Sequence, residues 1–265
     1  MIETMKMKQL QSLCLSIALL MTSASAFASA DQLMINLQHM RLASISAMTD
    51  FFMFAGLDAD RKYERRIETD IEAFRQAMTT AREMVAADNL VKSLDAIESD
   101  WQAFHMSLNS NRNLINNQGS PNPQVVDEMA RLNNALVTRI NDAYKGIVGD
   151  SEVNPAIEKA RTMALLLQEM PTKYAASAAL DKGDINMGEY KRSLQTMTPD
   201  FETKLADLKN VASRPQTSVL MNNINSKWRF LRNSITRQHE MDVPFLVISY
   251  NDRLIRHLEE LEGKI

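Results

Sequence analysis

The sequence predicts an all-α protein made of two tandem four-helix bundle units with long antiparallel helices. Three observations carry this. Gly and Pro are sparse, at 7 each in 265 residues, while Ala, Leu, Met and charged residues, which favour helix, are plentiful. Apolar residues recur every three or four positions. Tyr63, Ile67, Ile71, Phe74, Met78, Ala81 and Met84 form one stripe; Leu94, Ile97, Trp101, Phe104 and Leu108 form another; Leu220, Ile224, Trp228, Leu231 and Ile235 a third. The face opposite the first stripe is charged (Arg65, Arg66, Glu68, Asp70), so each stripe has to be buried on a neighbouring helix. Finally, the second half repeats the first. Ile97, Ser99, Trp101 and Ser107 match Ile224, Ser226, Trp228 and Ser234, and Phe74 matches Phe201 at the same offset. Ala55-Gly56-Leu57-Asp58 matches Ala178-Ala179-Leu180-Asp181 at a slightly smaller one.

In chain order, residues 1–30 read as a secretory signal peptide. Lys6 and Lys8 make the basic start, Leu13 to Met21 the apolar run, and Ala28-Ser29-Ala30 the cleavage site. The run is shorter than the roughly 20 residues that span a bilayer, and no later segment reaches that length. Leu13 before Cys14, and the place of Cys14 ahead of the apolar run, do not suit a lipoprotein. Cleavage would leave a chain from Asp31 to Ile265, expected in the periplasm or secreted, with no membrane span. It would carry no cysteine, hence no disulfide, thiolate metal ligand or cysteine nucleophile. Removing Lys6, Lys8 and Glu3 turns 30 basic and 33 acidic residues into 28 and 32, which offers no basic footprint for nucleic acid.

Glycines and prolines then punctuate eight segments: 32–56, 59–87, 89–117, 123–146, 154–180, 187–212, 216–240 and 244–262. Short links between long helices favour antiparallel neighbours. The expected division is 31–150 for the first repeat and 151–265 for the second, with a fragment ending near Gly149 folding alone. Pro171 and Pro199 interrupt their patterns, and a kink or break is expected at each.

Sites for chemistry are few. There is no Gly-rich phosphate loop, nucleophile elbow, H-E-x-x-H or C-x-x-C-H. His39, His105, His239 and His257 do not pair at helical ligand spacing. Methionines such as Met48, Met53, Met163 and Met170 recur at core spacing, as flexible core filling does. Glu259-Glu260 reads as solvated helix surface. No enzyme activity, cofactor or metal is expected. One run departs from the ordinary. Ile35 to Met48 sets Asn36 and Arg41 among Leu, Ile and Met, and Ile157 to Met170 sets Arg161 in the same place of the second repeat. An arginine held among core residues presents a fixed fork of donors that suits an anion. Asn36 and Arg41 lie about 140° apart on one helix, so they would border a groove between neighbours or meet across a symmetric homodimer. Arg161 has Glu158 three residues before it, a neutralising neighbour within the helix.

These two runs resemble the opening of the type IV pili methyl-accepting chemotaxis transducer N-terminal domain, which often begins I-N-L-A-G-x-Q-R-M-L-S-Q-K-M. Ile35, Asn36, Leu37 and Met48 match in the first copy, and Ile157, Leu166, Gln168 and Met170 in the second. The Trp of the third helix and the Pro that opens the fourth are also similar. The arginine of each copy is displaced from the family's place. The resemblance implies two tandem helical sensor domains, and it implies anion contact by an arginine near the start of the first helix. The expected function is therefore a non-catalytic periplasmic sensor or binding module. Its expected partners are a small anionic ligand, held by Arg41 with Asn36 or by Arg161, and an envelope signalling protein, with a link to chemosensory or pili signalling. The alternative is a structural or chaperone-like envelope adaptor. A buried polar pocket favours the first reading, and a long exposed apolar stripe favours the second.

Overall fold

A computed structural model describes residues 30–85, 87–149, 153–180, 188–212, 215–236 and 244–265. The leader read over 1–30 lies, but for Ala30, outside the described residues. The described residues form eight helices and no strand. They are α1 (30–56), α2 (Arg61–Met84), α3 (Asp88–Gln118), α4 (Pro123–Gly149), α5 (Pro155–Leu180), α6 (Gly188–Val211), α7 (Pro215–Thr236) and α8 (Pro244–Glu262).

Local chemistry sets the boundaries. Pro123, Pro155, Pro215 and Pro244 each occupy the first helical position, where the missing N–H is not needed and the fixed φ already suits helix. Side chains of Asp60, Asn122 and Asn154 accept from the backbone N–H two residues on, at 2.8, 3.0 and 2.9 Å, and cap α2, α4 and α5. Gly119 ends α3 in the left-handed region at φ 77°, where a side chain would be strained. Of the kink or break expected at Pro171 and Pro199, no break occurs. α5 and α6 run through both, because Met163, Leu167, Met170 and Tyr174 on one, and Leu194, Met197, Phe201 and Leu205 on the other, are buried on either side of the proline. Tertiary packing there overrides local preference.

The core divides in two. One cluster joins α1 to α4 and takes in Ala175, Ala176 and Ile248 from the second half; the other joins α5 to α8 and takes in Leu42 from α1. The repeat is visible in the packing. Phe74 stacks on Trp101 between α2 and α3, with centroids 3.8 Å apart, and Phe201 meets Trp228 between α6 and α7 at 4.2 Å. Each such pair adds about 0.5–1.5 kcal/mol beyond its burial.

The bundles join along their first helices. Gln38 of α1 hydrogen-bonds the carbonyl of Arg161, and Thr49 of α1 meets Thr172 at 2.5 Å. Both pairs are separated by 123 residues, so α1 and α5 lie side by side and parallel, with equivalent positions of the two repeats opposite each other. The chain thus holds a pseudo-two-fold arrangement within itself. In consequence α1 is buried on nearly every side, by α2 and α4 of its own bundle and by α5 of the other.

Candidate functional site

A helix buried all round cannot hide a charge cheaply. α1 carries three charged residues, Asp31, Arg41 and Asp50, and each belongs to a polar cluster that reaches another helix.

The first cluster sits near the start of α1 and α5. Arg161 is almost fully enclosed, with 1% of its side chain exposed. Its Nε donates to Glu262 at 2.8 Å, its Nη2 donates to Glu262 and to Asp31 (3.1 Å), and its Nη1 donates to the Tyr144 hydroxyl at 3.2 Å. That hydroxyl donates in turn to Glu158 at 2.5 Å. Burial alone would lower the Arg161 pKa, but Glu262 and Tyr144 more than offset it and hold the guanidinium above its ordinary value. The neutralising carboxylate is therefore Glu262 of α8, not the neighbouring Glu158, whose carboxylate is taken up by Tyr144.

Arg41 lies beside this network with different partners. It donates to Asn141 Oδ1 at 2.7 Å and to Gln38 Oε1, and its Cζ stands 4.1 Å from the centre of the Tyr144 ring. No carboxylate pairs with it directly among the described residues, and its Nε is buried without a partner. Burial pulls its pKa down to about 10, against the attraction of Tyr144 and Glu158. Asn36 does not join it. Its side chain donates to the Gln32 carbonyl and faces Met84 Sδ at 3.8 Å, at the end of α2. The structure thus brings Arg41 and Arg161 together through Gln38 and Tyr144, and leaves Asn36 apart. The cavity beside Arg161 is about 20 Å³, room for a single water.

The second cluster lies toward the far end of α1 and escaped the sequence reading. Asp50, with 1% of its side chain exposed, accepts from Arg66 Nε at 2.8 and 2.9 Å, and Arg66 Nη1 donates to Asp252 of α8 at 3.0 Å. Burial raises Asp50 to about 6 against the pull of Arg66. Asp70 is half-buried with its Oδ2 covered and unpartnered, and burial with the adjacent Asp50 raises its pKa well above the ordinary value. The available signal was Asp50 itself, a charge followed at once by Phe51-Phe52-Met53-Phe54.

Between the two clusters a cavity of about 170 Å³ opens at the seam of α1, α4 and α5. Ile45, Met48, Phe52, Ala130 and Val137 make its apolar wall; Asn133, Asn134, Glu169, Thr172 and Lys173 are its polar lining. A larger open cleft of about 1010 Å³ runs between α3 and α4, lined by small and polar residues such as Ala96, Ala135, Thr138 and Gly146. Among the described residues no three His, Cys, Asp or Glu side chains converge as metal ligands, and no helix is long and apolar enough to cross a membrane.

Comparison with protein-family models, with curated proteins and with solved structures returns no match.

Proposed function

We propose that this chain is a non-catalytic binding module of the cell envelope, two helical units fused into a pseudo-dimer that receives a small molecule at the seam between them. The observation that carries the reading is the seam itself. Ion pairs cross between the bundles at two levels of α1, Arg161 to Asp31 and Arg66 to Asp252, and the cavity between those levels is lined by both bundles. A molecule held there touches α1, α4 and α5 together, so its binding energy acts on how the bundles sit against one another. The arginine cluster contributes by fixing the register of α1 against α5. The charge of Arg161 is met by Glu262, which an anion there would have to displace; Arg41 has only the neutral partners Gln38 and Asn141, which an anion at Arg41 would have to displace.

The adaptor reading has less support. The exposed large apolar residues among those described are Leu57, Val91, Met106, Val211, Val219 and Phe245, spread over the turn after α1 and over α3, α6, α7 and α8. No one helix carries more than two of them. The place in the periplasm rests on the leader-like residues 1–30, and a chemosensory connection on the resemblance of the Ile35–Met48 run to the pili transducer domain.

The test is a thermal-shift screen of the chain from Asp31 to Ile265 against small anions, amines, amino acids and sugars. A ligand that binds only the native state must raise its stability. The expected result is a concentration-dependent rise with at least one class. A flat response across all classes would move the assignment to the adaptor.

A further inference from the structure

The geometry points to the seam cavity as a site for a small aliphatic ammonium ion, its charged head between Glu169 and Asn133 and its apolar tail on Phe52 and Met48. This rests on the binding-module reading and names the ligand class for it.

Three features of the cavity carry the proposal. The first is an orphaned acceptor. Asn133 is buried, and its Nδ2 donates to the carbonyl of Ser44 at 3.2 Å, which fixes the orientation of the amide. The other end, Oδ1, is buried and has no hydrogen-bond partner. A buried acceptor left unmade is costly and calls for a donor.

The second is an unpaired carboxylate. Glu169 lies half-buried on the same lining and makes no hydrogen bond or ion pair within 4 Å among the described residues. Other carboxylates near the seam have one: Asp31 and Glu262 with Arg161, Asp50 and Asp252 with Arg66, Glu158 with Tyr144. Burial raises its pKa and the charge of Lys173 on the next turn lowers it. The pseudo-two-fold relation offers a comparison. The residue of α1 opposite Lys173 is Asp50, whose carboxylate is filled by a guanidinium, Arg66, from a neighbouring helix. On the α5 side, the cation acting on Glu169 is Lys173, one turn on, and the two make no ion pair within 4 Å.

The third is shape. The cavity, about 170 Å³, is similar to one of about 150 Å³ that holds benzene, so it takes a molecule of roughly six to eight heavy atoms. Two acceptors, Asn133 Oδ1 and the Glu169 carboxylate, together with an apolar wall select an ammonium group with a short branched or cyclic tail. Such a head donates three hydrogen bonds and accepts none. An anion meets Glu169 and the unpaired Asn133 Oδ1, both repulsive to it, against the one cation of the lining, Lys173.

Calorimetry on the chain from Asp31 to Ile265 tests this with isoamylammonium chloride, against isovalerate and isoamyl alcohol as probes of equal shape and different charge. The expected result is saturable one-to-one binding of the ammonium, at least tenfold weaker binding of the alcohol, and none of the carboxylate. Glu169→Gln removes the charge at a side chain with no partner to lose, so its melting temperature stays near that of the parent while ammonium affinity falls about tenfold or more. Equal affinity for all three probes, or unchanged affinity in Glu169→Gln, would show an apolar hole without charge selection and overturn the proposal. Failure of isoamylammonium to saturate, with another class stabilising the chain in the screen, would refute the ammonium assignment and leave the binding module standing. Failure of every class would end both.

Discussion

Arg161→Ala gives the sharpest probe of how the bundles are held. The side chain makes four hydrogen bonds and is the hub of the first cluster. Its loss strands the Glu262 carboxylate, which is only 19% exposed, and removes a donor from the Tyr144 hydroxyl. Breaking a buried pair on one side costs about 3–5 kcal/mol. The partial exposure of Glu262 points to the lower end, and Asp31, at 55%, contributes under about 1 kcal/mol. The expected loss is therefore about 3 kcal/mol, or about 6–12 °C in melting temperature for a chain of this size. Adding Glu262→Gln should recover part of that loss, because no charge is then left unpaired. Urea unfolding followed by tryptophan fluorescence measures all three variants. A loss below about 1 kcal/mol in Arg161→Ala would refute the argument that this cluster clamps α1, α5 and α8. So would a double variant no more stable than the single one.

Asp70 gives a pH signature. Its pKa is raised on folding, so its contribution is fully present below the unfolded value of 3.8 and is lost as pH climbs through the folded value. Asp70→Asn cannot lose a proton, so it should match the parent near pH 3.5 and exceed it increasingly toward pH 7. Urea unfolding at several pH values measures the gap, and a constant gap would contradict the burial of this carboxyl beside Asp50. Gly119→Ala tests the end of α3. No atom lies within 4 Å of the added Cβ, so the cost is conformational alone, about 1–2 kcal/mol by thermal melting. A neutral outcome would mean that the turn relaxes out of the left-handed region.

The helices were legible because their signals are local. Periodicity in Tyr63 to Met84 or Leu220 to Ile235 is a property of consecutive residues, and prolines such as Pro123 and Pro244 mark starts wherever the chain goes afterwards. The departure at Pro171 and Pro199 has the opposite origin. What carries the helix through is burial on partners more than 20 residues away, and the sequence does not display those. The candidate site shows the same divide. Arg41 and Arg161 stood out as charges among apolar neighbours, and both are buried. That they would meet through Gln38 and Tyr144 depends on α1 lying parallel to α5, which no local pattern encodes. Asn36 failed to join because five residues along a helix turn it toward the end of α2. The seam cavity was invisible for a simpler reason. Asn133 and Glu169 lie on different helices of different bundles, and an unpaired atom is recognisable only once its surroundings exist.

The claim that a ligand at the seam is felt by both bundles has a direct test, since each bundle holds one tryptophan, Trp101 or Trp228. Trp228→Phe leaves a reporter in the first bundle, and Trp101→Phe leaves one in the second. Thermal melting of each, with and without the best-binding compound at about 100 times its Kd, should show both midpoints rising together. The expected stabilisation is about 2.7 kcal/mol, or about 5–10 °C. A rise seen by one tryptophan alone would place the ligand inside a single bundle and contradict the account.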